Sequence, residues 1–177
     1  MQFILVDRIL ELEPGRRIAA VKNLTLAEEY LADHFPGFPV LPGVLMLEAI
    51  SQASAWLIRV TEGYAHSVIV LKSVKAVKYG SFVTPGHQLA IDAEITKVQG
   101  NCTEIRARGT VDGVNTVSGR VTMESYNLRD REPALKSLDA EIIAAHKKQF
   151  LVLAREWLKS VRPAQEVVSK PSVISSV

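Results

Sequence analysis

A single cysteine, Cys102, stands in the chain of 177 residues. No disulfide can therefore staple it internally, and a lone thiol goes with a reducing compartment. Charge of one sign is also lacking: 21 Lys and Arg face 19 Asp and Glu, for a net +2, and the basic residues are spread along the sequence. That leaves no electrostatic footprint for a nucleic acid, and no recognition motif for one is present. The four histidines, His34, His66, His87 and His146, are far apart and never paired at ligand spacing, so no metal is expected. The glycines form neither a nucleophile elbow, a dinucleotide fingerprint nor a phosphate loop, and no organic cofactor is expected. No hydrophobic run approaches a membrane span. The opening MQFILVDRILELEPG has no basic n-region and meets Asp7 too early for a signal peptide. The expectation is a cytoplasmic protein without membrane contact. Its 47% hydrophobic content suffices for the core of one domain with an appendage.

What is present concentrates between His34 and Gln52, in HFPGFPVLPGVLMLEAISQ. His34 stands on a loop stiffened by Pro36, Pro39 and Pro42, each of which fixes its own φ and pushes its predecessor towards extended geometry. Gly43 then opens a stretch to Val60 in which apolar residues cover nearly all sides of a helix, the mark of a buried one. Glu48 lies inside it. A carboxylate in such a helix is costly unless paired, hydrogen-bonded or used. Ser51 and Gln52 follow Glu48 at i+3 and i+4, and Arg59 continues the same narrow polar stripe. A lone histidine before a loop, or a lone helical glutamate, is ordinarily a solvent-facing residue. A rigid histidine upstream of a buried carboxylate is instead the make-up of an acid–base pair.

The run closely resembles the active-site segment of the FabZ-type (3R)-3-hydroxyacyl-[acyl-carrier-protein] dehydratases, whose pattern is His-Phe-Pro-Gly-x-Pro, Pro-Gly-Val, then Glu-Ala and Gln. The resemblance extends from Phe3 through Thr84-Pro85-Gly86 to Val111-Asp112-Gly113 and fades beyond residue 125. It implies a hot-dog fold and a hot-dog dehydratase domain over 1–126, followed by an extension over 127–177. It also implies a homodimer joined through sheet edges, with a trimer of dimers as the larger assembly, and an acyl carrier protein as the substrate-bearing partner. The chemistry removes a proton from the carbon beside a thioester carbonyl and expels hydroxide from the next carbon. That demands a base, an acid and polarisation of the carbonyl. His34 suits the base, with an ordinary pKa near 6.5. Glu48 suits the acid where burial keeps it protonated. Gly43 opens the helix, where free N–H groups favour an oxyanion. The resemblance assigns these same roles and takes the His and the Glu of one site from different subunits. Gln52 would orient Glu48, with packing filler as the alternative.

The chain departs from that family between Lys78 and His87, where two arginines, a proline and an aspartate are missing. Lys78 remains as a contact for the acidic carrier, or as an edge lysine that guards against strand pairing. Tyr79 is a wall of the acyl tunnel, or simply core. The rival functions are a hot-dog thioesterase, a dehydratase–isomerase (which typically has Asp at the Glu48 position), and a non-catalytic dehydratase-like subunit binding a pathway partner.

Periodicity and turn signals give an α+β layout, an antiparallel sheet wrapped around one long helix. Phe3–Val6 and Arg17–Val21 read as strands about a Glu13-Pro14-Gly15 turn, and Thr25–Leu31 as a short helix. Glu62-Gly63 stops the long helix, and Pro85-Gly86, Gly100-Asn101 and Asp112-Gly113 punctuate the strands after it. Residues 134–161 read as a helix with the stripe Leu138, Ile142, Ala145, Leu153, Trp157 and Val161, expected to pack on its own domain. The Ser- and Val-rich stretch from Pro163 is expected to fray.

Overall fold

A computed structural model describes residues 3–161; the Ser- and Val-rich tail lies outside the described residues. Pro14 and Gly15, the latter at φ +77°, turn the chain between β1 (Arg8–Glu13) and β2 (Arg17–Asn23). The turn is where its residues put it, but the strand before it is not. Phe3–Val6 lies outside the sheet and is held by a side chain instead. Gln52 Oε1 accepts Leu5 N–H at 2.8 Å, and Gln52 Nε2 donates to Phe3 O at 3.0 Å. Leu5 and Val6 are fully buried all the same, so the apolar run encodes burial rather than strand pairing. The short helix expected over Thr25–Leu31 contracts to a 3-10 turn at Glu29–Ala32.

α1 (Gly43–Thr61) is the core of the molecule. Contrary to the expectation from the sequence, it matches a membrane-spanning segment in length and apolar composition. Here the sheet supplies the cover: Ala49, Ile50, Ala53, Leu57 and Ile58 are buried beneath it. Glu62 N–H returns to Ile58 O, and Gly63, at φ +60°, ends the helix in the left-handed region that favours glycine. The remaining strands are β3 (Val68–Tyr79), β4 (Gln88–Gln99), β5 (Cys102–Val111) and β6 (Val114–Tyr126). All pairs are antiparallel, in the order β1-β2-β4-β5-β6-β3. Asp112 and Gly113, both at positive φ, make the two-residue β5–β6 hairpin. This is the hot-dog fold, a six-stranded sheet around one helix. β3 closes the order and, among the described residues, pairs only with β6, so its other edge is open there, with Val70 and Leu71 exposed on the strand.

Beyond β6 the chain packs back as α2 (Lys136–Leu153) and α3 (Arg155–Val161). The expected stripe is only partly placed: Leu153 is buried, Ile142 half-buried and Trp157 packed against the core. Leu138, Ala145 and Val161 are exposed, and the inward face runs through Asp139, Ile142, His146, Phe150 and Leu153. Two polar residues on that face hid it from a reading by hydropathy. Asp139, 1% exposed, accepts hydrogen bonds from Ser67 Oγ, Leu128 N–H (2.9 Å) and Arg129 N–H (3.1 Å). Phe150 packs on Trp56 of α1, with ring centroids 6.0 Å apart.

Candidate active site

The loop before α1 folds on its own backbone. Phe35 and Phe38 exchange N–H···O bonds, Val40 N–H donates to His34 O at 3.0 Å, and Leu41 N–H donates to Val83 O at 2.9 Å. These bonds hold the His34 ring as well, because His34 Nδ1 lies 3.0 Å from Val40 O. A carbonyl can only accept, so Nδ1 donates, and in the neutral form of the ring the lone pair is then on Nε2. His34 faces a cavity of about 290 Å³ whose wall includes Gly43, Met46, Tyr79 and Phe82. Gly43 is the first residue of α1; the Leu45 and Met46 N–H groups return to Pro42 O, and the Gly43 N–H has no such partner among the described residues. Tyr79 lies over it: a Cβ on Gly43 would come within 3.0 Å of Tyr79 Cε1. Tyr79 is thus a half-open wall rather than core, 52% exposed.

Glu48 does not line that cavity. It stands in a second one, of about 440 Å³, together with Ser51, Gln52, Trp56 and Arg59 of the same helix. Gln52 Nε2 donates to Glu48 Oε1 at 3.0 Å while its amide also clamps the Phe3–Leu5 backbone. The Glu48 carboxylate is therefore tethered to a residue that is itself fixed at both ends. Within one chain, then, the base candidate and the acid candidate face different spaces.

Residues 1–125 match the family model of the FabA-like domain. This chain belongs to the FabA-like family. It is similar to the 3-hydroxyacyl-[acyl-carrier-protein] dehydratase FabZ of Ruminiclostridium cellulolyticum, at 36% identity over 119 residues, 67% of this chain and 84% of that protein. The protein of the same description from Wolbachia pipientis is 43% identical over 96 residues, 54% of this chain and 67% of that one. Among solved structures, the dehydratase heterocomplex ApeI:P from Xenorhabdus doucetiae shares the fold, with a TM-score of 0.61 at 17% identity over 75% of this chain and 90% of that one.

Lys78 is exposed on β3, and the sheet gives it company that the sequence hid. Cross-strand register places Glu94, Arg106, Arg120 and Lys75 in one row, and Asp92, Arg108, Ser118 and Lys78 in the next. The bulge at Ala76, with φ +53°, keeps Lys75 and Lys78 on the same face. Basic residues spread along the chain are therefore clustered on the outer sheet face of this FabA-like fold. Arg106 directly opposite Arg120 is a like-charge pair, unfavourable in an isolated sheet.

Proposed function

We propose that the protein dehydrates (3R)-3-hydroxyacyl groups carried on acyl carrier protein to trans-2-enoyl groups, in fatty acid or related acyl biosynthesis. His34 Nε2 takes the proton from C2, and Glu48, reacting in its acid form, gives a proton to the hydroxyl leaving C3. Water departs and the C2=C3 double bond forms, so the step balances without any redox partner. The Gly43 N–H and the N-terminus of α1 stabilise the oxygen of the thioester carbonyl as charge builds on it. Gln52 positions the Glu48 carboxylate, and Tyr79 walls the acyl channel beside Gly43.

The observation that carries this reading is the His34 hydrogen bond: a ring held through Nδ1 leaves Nε2 for the cavity that Gly43 also lines. Each site is completed by Glu48 of a second copy, since His34 and Glu48 of one chain occupy separate cavities. The open edge of β3 supports the dimer, because a row of unpaired N–H and C=O groups is a template for another strand. A trimer of dimers is the proposed larger assembly. Lys78, with Lys75, Arg108 and Arg120 beside it, is the proposed docking face for the acidic carrier. A cytoplasmic setting accords with the single free thiol, Cys102. Purified protein should hydrate crotonyl thioester, read as falling enone absorbance. Release of free thiol without loss of the enone would mark a thioesterase instead.

A further inference from the structure

The cavity beside Glu48 does not end at the carboxylate. It follows α1 from Glu48 past Gln52 and Trp56 to Arg59, and α2 closes it with His146 and Gln149. At about 1.5 Å per residue, Glu48 and Arg59 stand roughly 16 Å apart along the helix. The far end is polar in an unusual way. The Arg59 guanidinium lies over the Trp56 ring, 5.1 Å from its centroid, and makes no hydrogen bond or ion pair among the described residues. Its Nε is shut off from water without a partner, as is Nδ1 of His146. Burial lowers the Arg59 pKa to about 10, so the group stays charged at neutral pH. Burial and then Arg59 push His146 down to about 4, leaving a neutral imidazole able to donate one hydrogen bond. Lys147 lies over the Tyr64 ring, 5.4 Å from its centroid, and Glu62, three residues after Arg59, is engaged with His66. Among the described residues, the only carboxylate lining the cavity is Glu48, at the opposite end.

A cation held among apolar groups without a counter-charge is costly, and the methyl end of an alkyl chain placed there would leave it so. We propose that this end of the cavity takes the terminal carboxylate of an ω-carboxyacyl group, bound by Arg59 with His146 and Gln149 beside it. The inference rests on the dehydratase reading above and names its substrate class: an acyl chain ending in an anion rather than a methyl. His146 and Gln149 lie on a helix beyond the span matched by the family, whereas Arg59 lies within it, so the pocket joins the matched domain to the chain's own extension.

The test compares pairs of 2-enoyl thioesters of equal length, from about ten to about sixteen carbons so that the span is reached, one of each pair ending in a carboxylate and one in a methyl. The ratio of their kcat/KM values is measured within each protein, so partial misfolding of a variant cancels. The parent should favour the carboxylate-ended substrate by about tenfold or more, as expected for one charge-assisted contact. Arg59→Met should abolish or invert the preference, and Arg59→Lys should retain part of it. A parent that favours the methyl-ended substrate, or an unchanged ratio in Arg59→Met, would overturn the proposal. Failure to hydrate crotonyl thioester would instead strike at the dehydratase reading. In that event a free ten-carbon diacid should still raise the melting temperature of the parent more than the matching monoacid does. Loss of that difference in Arg59→Met supports the pocket; equal shifts from both acids in the parent overturn it.

Discussion

His34 and Glu48 were legible because each breaks a local rule: three prolines fix a loop that carries a histidine, and a carboxylate interrupts a helix that is otherwise greasy. Their separate cavities accord with the family resemblance, which takes the two from different subunits, although no local pattern of residues shows which way a side chain leaves its backbone. Replacing either by Ala should lower turnover of crotonyl thioester by about a hundredfold or more, the usual loss for a positioned acid or base. Steady-state kinetics on folded variants checks this, and near-parental turnover would remove that residue from the mechanism. Gly80, read only as a departure from the family segment, has a steric reason to be glycine. A Cβ there would stand 2.4 Å from Asn115 O, a backbone atom with nowhere to go. At Gly43 the obstacle is the exposed Tyr79 ring, which can swing aside. Thermal melts should therefore show Gly80→Ala less stable than Gly43→Ala; the reverse order would mean that the β5–β6 hairpin shifts freely.

At the scale of elements, hydropathy located the long helix, the turns and the existence of α2, but only part of its inward face. Asp139 and His146 occupy that face because local hydrogen bonds and aromatic neighbours compensate them, and periodicity has no means of weighing such compensation. Both residues cost stability as the pH falls, each in its own window. Burial alone would raise Asp139, but the bonds from Ser67 and the Arg129 and Leu128 N–H groups outweigh it and hold its pKa below the ordinary carboxylate value. Its stabilisation is therefore present above about pH 3.9 and is lost as pH falls through the depressed folded value. His146 is lowered to about 4, so between about pH 6.5 and 4 the unfolded chain takes up a proton that the folded one refuses. Stability should decline across that upper window in the parent. His146→Phe should flatten the melting temperature there while leaving the lower window in place, and an unchanged slope would show that other groups set it. Phe150→Ala, which empties a site against Trp56, should destabilise by about 3–5 kcal/mol in denaturant titrations. A loss near zero would mean that α2 is not fastened to the core.

On the scale of the whole molecule, the basic face shows how a sheet assembles what a sequence disperses. Arg106 and Arg120 are distant in the chain and become neighbours only through the β5–β6 register. If that face receives the carrier, Arg120→Glu and Lys78→Glu should raise KM for the carrier-borne substrate more than for a small thioester. Added salt should do the same to the parent. Equal effects on both substrates would place docking elsewhere.

The central claim is that His34 of one copy works with Glu48 of another, and refolding two inactive proteins together tests it most directly. A dimer of His34→Ala with Glu48→Ala has one site with both lesions and one with both native groups. Random pairing puts about half of the dimers in that class, so roughly a quarter of parental activity should return, while either variant refolded alone stays silent. Mixed dimers verified by mass that recover nothing would contradict the shared site. A dimer of the parent with the double variant supplies the converse: shared sites leave it inactive, whereas half-parental activity would place both residues of each site in a single chain.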